Sequence, residues 1–211
     1  MTALPAAAVY THALLGHPCT VWDGDRAPTP LPTRAWLARA DDGDQSLLGH
    51  CVGSTLDIGC GPGRMAEALA QRGHVALGID VVPEAVRQTR DRGATALLRS
   101  VFDPVPGEGR WDTALLADGN IGIGGDPVAL LQRVRELLAP GGRVVVDVAP
   151  WGTGVLTRHL RLETRHGRSG LFPWTQVGAD ALPAGAAAAG LGHVAGHQHG
   201  DRVFAVVEAR P

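Results

Sequence analysis

The chain has no lysine: all 19 basic residues among its 211 are arginine. That absence excludes a lysine Schiff base, pyridoxal-type chemistry and the lysine of a Walker phosphate loop. Aromatic residues make up only 4% of the chain, with one tyrosine, Tyr10. Cysteine is limited to Cys19, Cys51 and Cys60, an odd set with no C-x-x-C pair. This argues against a disulfide framework and fits a reduced, cytoplasmic protein. No apolar run approaches the roughly eighteen residues of a membrane span. The apolar start, MTALPAAAVYTHALLGH, lacks the basic region of a signal peptide. A net charge of −2 provides no global field for nucleic acid or anionic membrane, so no membrane partner is expected and nucleic acid is disfavoured. What remains, 45% hydrophobic and 19% charged residues, is the composition of one globular domain.

From Ser54 to Ala149, short β-type runs alternate with helical stretches, as in a parallel sheet covered by helices. STLDIG (54–59) predicts a first strand, and GRMAEALAQRG (63–73) a helix with Met65, Ala66, Leu69 and Ala70 on one face and Gly73 ending it. HVALGID (74–80) predicts the next strand. Pro83 opens a second helix, which Gly93 closes, and ATALLRS follows as a third strand. WDTALLAD (111–118) predicts a fourth strand, GNIGIGG a glycine-rich loop, and Asp126-Pro127 a helix start that runs to Pro140-Gly141-Gly142. RVVVDVAP is the fifth, central strand.

Residues 54–150 thus form the expected core of a single domain. Residues 1–53 are expected as an N-terminal lid of one or two helices around a proline-broken loop or hairpin, DGDRAPTPLP. Residues 151–211 are expected to supply a substrate-side segment with an arginine-rich strand and an alanine-rich helix over 179–189. They end in HVAGHQH and RVFAVVEA, an antiparallel hairpin joined by a short HGDR link.

The sharpest motif is Leu56-Asp57-Ile58-Gly59-Cys60-Gly61-Pro62-Gly63, between a strand and a helix, with Asp80 ending the next strand. Glycines let a backbone approach a ligand closely, and an acid on the second strand can hold ribose hydroxyls. Gly61-x-Gly63-x-x-Ala66 also satisfies a dinucleotide fingerprint, with Asp80 nineteen residues after Gly61. Spacing alone leaves both readings open.

LDIGCGPGR, GID, WDTALLADG and LLAPGGRVVVD together resemble the class I S-adenosylmethionine-dependent methyltransferases, over about residues 54–150. The resemblance implies an α/β, Rossmann-like sheet of seven mostly parallel strands with an antiparallel C-terminal hairpin and helices on both faces. It implies S-adenosylmethionine as cofactor, with S-adenosylhomocysteine as product. Asp57 would support the loop near the methionine amino group, with Gly59, Cys60, Gly61 and Gly63 passing under the cofactor. Asp80 would take the ribose hydroxyls, with Val81 beside it and Ala117 closing the fourth strand. The chain departs from the family after the third strand, where serine stands in Arg99-Ser100-Val101-Phe102-Asp103 in place of an acid facing the adenine. Val101 and Phe102 are left as the adenine contacts.

A sulfonium methyl is already electrophilic, so transfer by in-line displacement asks mainly for alignment of an acceptor. Asp118 and Asn120, after the fourth strand, are the candidate catalytic residues, Asp118 as a base and both alternatively as turn formers. Tyr10, with His12 and His17 nearby, and Trp151 and Trp174, flanking the arginine-rich run with Phe172, are candidates for the acceptor site. Arg158, Arg161, Arg165 and Arg168 could receive an anion or RNA, or form one solvated strand face. His193, His197, His199 and Asp201 match no zinc spacing, so no metal is expected. The expected activity is methyl transfer to a small molecule by a monomer or homodimer. The alternatives are an RNA or nucleotide methyltransferase, a non-catalytic cofactor-binding or partner protein, and a dinucleotide enzyme.

Overall fold

Helix α1 (Ala6–Leu14) follows Pro5 and buries Val9, Ala13 and Leu14. The structure, a computed structural model, describes residues 3–209. The chain continues through β1 (Thr20–Asp23), β2 (Thr29–Pro30), α2 (Thr33–Leu37) and α3 (Asp42–Leu48). A capping box starts α3: Asp44 N–H donates to Asp41 Oδ1 at 2.8 Å and Asp41 N–H to Asp44 Oδ2 at 3.1 Å. The run expected as a loop or hairpin is therefore an antiparallel hairpin, β1 pairing with β2.

Then come β3 (Thr55–Ile58), α4 (Arg64–Gln71), β4 (Ala76–Asp80), α5 (Pro83–Asp91), β5 (Ala96–Leu98) and β6 (Trp111–Leu116). A short 3-10 turn over Asn120–Gly125 leads to α6 (Pro127–Leu137), whose N-cap Asp126 accepts from the Val128 and Ala129 amides. After β7 (Leu138–Val148) come β8 (Val155–Thr164), β9 (Gly167–Arg168), β10 (Phe172–Val177), α7 (Leu182–Ala188), β11 (Leu191–His199) and β12 (Arg202–Ala209).

Seven strands form the main sheet, in the order β11-β12-β7-β6-β3-β4-β5. The five from β7 to β5 are parallel, and β12 and β11 add antiparallel to β7. This is the expected fold. The N-terminal segment holds three helices, α1 to α3, where one or two were expected, strands β4, β5 and β6 are shorter than expected, and two further boundaries shift. β7 begins directly at Leu138, because the Pro140-Gly141-Gly142 segment is absorbed as an irregularity between the Trp111 and Thr113 pairings. The alanine-rich helix starts only at Leu182, where Pro183 suits its first turn.

Side chains alternate across the sheet, as a period of two requires. Leu56, Ile58, Leu116, Val144 and Val146 pack with Leu130, Leu131, Val134 and Leu137 of α6. On the other face Leu115, Val145, Phe204 and Val206 pack with Leu47 and Leu48 of α3 and Met65 and Leu69 of α4. A second sheet, order β10-β8-β1-β2 with β9 on β8, is antiparallel throughout and joins the N-terminal segment to the segment after the core.

Phe204 is the bulkiest fully buried side chain. Phe204→Ala is expected to cost about 3–5 kcal/mol of stability through the cavity it leaves. Urea unfolding would read this as a fall in midpoint at unchanged m-value.

Candidate functional site

Residues 59–63 join the end of β3 to α4 where the strand order reverses, with β4 on one side of β3 and β6 on the other. Open α/β sheets bind ligands at such a point. Two of the glycines are required by position. Gly63, at φ +90°, lies so close to α5 that a Cβ would stand 2.6 Å from Thr89 Oγ1. Gly61, at φ +53°, faces open space, where a Cβ would meet only the Tyr10 hydroxyl, at 3.5 Å.

The loop is held by side chains from three directions. Asn120 Nδ2 donates to the carbonyls of Ile58 at 2.8 Å and Gly59 at 2.9 Å. Asp80 Oδ2 accepts from Gly61 N–H at 2.9 Å, and its Oδ1 from Val82 N–H at 2.8 Å. Asp57 lies fully buried beneath the loop with Oδ2 unpartnered. Burial and the Asp118 charge push its carboxyl up to about 7, against Arg64 and the Ala66 amide. Burial also raises Asp80, partly offset by the amides it accepts from.

Arg64, the first residue of α4, organises the acids around it. Its Nε and Nη2 donate to Asp44 at 2.8 and 2.9 Å, and its Nη1 and Nη2 to Asp118 at 2.6 and 2.8 Å. Arg202 of β12 donates to both oxygens of Asp147 and also pairs with Asp44. Asp147 in turn accepts from Asp118 N–H at 2.6 Å. Two guanidiniums thus face three carboxylates, Asp44, Asp118 and Asp147. Among the described residues Asp118 is the one non-glycine at positive φ, +55°. Such a position persists only where its surroundings enforce it.

The glycine loop, Arg64 and Asp118 open on a cavity of about 920 Å³ that runs from the loop, Asp80 and Val101 to the inner face of the second sheet, while Asp44, Asp147 and Arg202 line a separate pocket behind it. Tyr10 and Trp36, whose rings meet edge-to-face at 6.0 Å, cover it on the lid side. Leu160, Leu162, Phe172 and Trp174 line the sheet wall, with Asp23 and Arg158 paired within it. Tyr10 is half-buried, and its hydroxyl is kept protonated by desolvation first and by the Asp80 and Asp118 charges second. Burial does the same to the Cys60 thiol, which packs against Gly78.

Of the residues singled out in the sequence, the structure brings Tyr10, Gly59, Cys60, Gly61, Asp80, Val81, Val101, Asp118, Asn120 and Trp174 to this cavity. Asp57 and Gly63 support the loop from below. Three others lie elsewhere. Trp151 is 76% exposed in the turn after β7. Ala117 faces the α3/α4 side of the sheet. Phe102 lies outside the cavity lining, against Gly124. The expected base, Asp118, has both oxygens engaged by Arg64, and Asn120 spends its amide on the loop carbonyls, so both act here as positioning groups. Sequence reasoning missed Arg64, Asp44, Asp147 and Arg202, although the arginine after GCGPG was in plain view. It also missed the wall residue Asp23 and the cover residue Trp36. The arginine run does not form one strip: Arg158 faces the cavity, while Arg161 lies over the Trp22 ring at 5.7 Å.

Comparison with known proteins agrees with this geometry. The family model described as a methyltransferase domain matches residues 55–142. A ubiquinone biosynthesis O-methyltransferase of Xylella fastidiosa is 31% identical over 98 residues, covering 44% of this chain and 40% of that protein. One from Xanthomonas oryzae pv. oryzae is 28% identical over 137 residues, covering 60% and 54%. The chain thus spans about 40% of the length of the first of these curated relatives. A SAM-dependent methyltransferase from Bacteroides fragilis, solved with S-adenosyl-L-homocysteine, superposes with a TM-score of 0.82 at 21% identity, covering 100% of this chain and 98% of that one. The 1,6-didemethyltoxoflavin-N1-methyltransferase of Burkholderia thailandensis gives 0.63 at 18%, covering 100% and 92%. Residues 55–142 match the methyltransferase-domain family model, and the whole chain has the class I methyltransferase fold.

Breaking the ion cluster from its centre should be costly, because removing Arg64 leaves Asp44 and Asp118 short of their main partner. Arg64→Ala is expected to lose about 3–5 kcal/mol in urea unfolding. Asp57 sets a pH dependence. Its carboxyl ionises near 3.8 in the unfolded chain and near 7 in the folded one, so stability falls as pH rises between those values. Thermal unfolding at both ends of that window should show Asp57→Asn removing a penalty of up to about 4 kcal/mol at the upper end.

Proposed function

We propose that this chain binds S-adenosylmethionine at the glycine loop and transfers its methyl group to a small molecule held against the second sheet. The observation that carries the reading is the single cavity that joins the loop and Asp80 at one end to an aromatic wall at the other. The residues fit such a cofactor. The open face at Gly61 admits a ligand against bare backbone, and Asp80 presents carboxylate oxygens where ribose hydroxyls can donate. Three carboxylates against two guanidiniums leave a local excess of negative charge, complementary to a ligand carrying an ammonium and a sulfonium.

When bound, S-adenosylmethionine supplies an electrophilic methyl group, so the chain's task is to hold and orient. Arg64 holds Asp118 in its left-handed turn, and Asn120 fixes the loop. Tyr10 and Trp36 exclude water from above. No unpaired carboxylate or histidine faces the middle of the cavity among the described residues, which favours an acceptor that needs no strong base. The size and enclosure of the cavity, and the division of the arginine run between two sheet faces, favour a small molecule over RNA. The Burkholderia enzyme, solved with bound 1,6-didemethyltoxoflavin, supports the same class. We further infer a cytoplasmic location, consistent with three free cysteines.

Calorimetric titration with S-adenosylmethionine, S-adenosylhomocysteine and NAD tests the cofactor. Both sulfur ligands should bind and NAD should not. Asp80→Ala and Gly61→Val should each weaken binding by about tenfold or more, through lost ribose acceptors and a blocked backbone approach respectively. Binding of NAD alone, or wild-type affinity in both variants, would overturn the assignment. Cofactor binding without product across a broad acceptor panel would instead support a non-catalytic protein.

A further inference from the structure

The fold brings together three histidines that are far apart in sequence and take no part in the cofactor site. His12 lies in the last turn of α1, His17 three residues beyond its end, and His166 in the turn between β8 and β9. The His166 ring centroid is 4.5 Å from that of His12 and 4.5 Å from that of His17, and the other two are 6.1 Å apart. One nitrogen from each lies within 4.8 Å of the others. We propose that His12, His17 and His166 bind a divalent transition-metal ion of the Zn²⁺, Co²⁺ or Ni²⁺ class, which ties helix α1 to the second sheet.

The donor set selects the ion. Three imidazoles with no carboxylate suit borderline metals, whereas Mg²⁺ and Ca²⁺ require oxygen ligands. Three protein nitrogens and one water complete a four-coordinate site. A tetrahedral ion at its usual bond length sets the nitrogens about 3.3 Å apart, so the group must contract and the stacked His12 and His166 rings must turn edge-on. His166 is exposed in a tight turn and has the room to do so. The elements are already joined nearby: Leu4 N–H donates to Arg168 O at 3.0 Å, and Gly170 N–H to Leu4 O at 3.0 Å.

A competitor is present in the same turn. Arg165 Nε donates to His166 Nε2 at 2.9 Å. Coordination through that nitrogen must displace the guanidinium, which also repels a cation. Removing the Arg165 charge should therefore tighten the site. The consequence reaches the cavity, because α1 carries Tyr10 over Gly61 while β8 carries the wall residues Arg158, Leu160 and Leu162. A metal that pins α1 to the β8–β9 turn fixes the cover against the wall.

The test is titration of the untagged, metal-free full chain with Zn²⁺ by calorimetry and with Co²⁺ by visible absorption, with Mg²⁺ as a control. The wild type should take up one equivalent at this site and melt at a higher temperature with Zn²⁺ present. His166→Ala should weaken that equivalent by at least about tenfold, since even outer-shell losses at metal sites cost 10–100-fold. Arg165→Gln should strengthen it. His50 and His197, with ring centroids 4.1 Å apart, are the other close histidine pair, so His197→Ala is the control and should change nothing. No uptake by the wild type, uptake unchanged in His166→Ala, equal uptake of Mg²⁺, or loss in His197→Ala alone would each overturn the proposal. Because His166 is exposed, circular dichroism of His166→Ala should match the wild type, and His12→Gln should repeat its effect.

Discussion

The guanidinium of Arg64 is the contact on which the site's geometry depends. It is 9% exposed and bonds two carboxylates at once, one from α3 and one from the loop after β6. Only arginine offers the planar fork needed for both pairs, which is how a chain without lysine can bury so much charge beside a cavity. Asp44 shows the balance. Burial pushes its carboxyl up, but the hydrogen bonds and charge of Arg64 outweigh this, with help from Arg202 and the Asp41 amide, and hold it below the ordinary carboxylate value. Its stabilisation is present above that value and fades as pH falls below it, opposite in sign to Asp57.

The same cluster makes Asp118 part of the frame around the glycine loop. Both of its oxygens meet Arg64, its amide meets Asp147, and its backbone is left-handed. Three independent constraints on one residue fix the turn that delivers Asn120 to the glycine loop. Loop and turn are therefore one unit: Asp80 holds Gly61 from one side and Asn120 holds Gly59 from the other. Preorganisation of this kind lowers the ordering cost that a ligand would otherwise meet on binding.

Much of this was legible in the sequence, for a reason that also marks the limit. The strand and helix periods, the Gly61 and Gly63 positions, Asp80 and the closing hairpin are set by local pattern and short spacing, and each stands where the pattern put it. Side chains whose role comes from partners across the fold carry no such signal. Arg64 reads as one helical arginine until Asp44, twenty residues before it, and Asp118, 54 after it, arrive beside it. Trp151 reads as a wall residue because, with Phe172 and Trp174, it flanks the arginine-rich run. The turn at Gly152, held by Asp180, sends it to solvent instead. Ala117 stands among the cofactor residues that the resemblance implies, but side chains alternate there and it falls on the far face.

The second sheet was the least legible element, because no single stretch of sequence contains it. β1 and β2 come from before the core, β8 to β10 from after it, and the pairing of Thr20 with Glu163 spans most of the chain. Closing so long a loop costs entropy that only long-range burial can recover. The recovery is visible where Cys19 and Leu162 pack with Val9 and Ala13 of α1. The cover over the cavity is thus a composite, a helix from one end of the chain laid on a sheet completed by the other. It also rests on the main domain, where Leu14 packs with Val82 and Ala85 of α5, Gln88 Nε2 donates to Leu14 O at 3.0 Å and Thr175 Oγ1 donates to Gly125 O at 2.6 Å. Together these parts hold Tyr10, Trp36 and Trp174 over the cavity. The wall and the cover of the cavity therefore meet at the α1–second sheet junction, with Tyr10 on the helix side and Leu160, Leu162 and Trp174 on the sheet side.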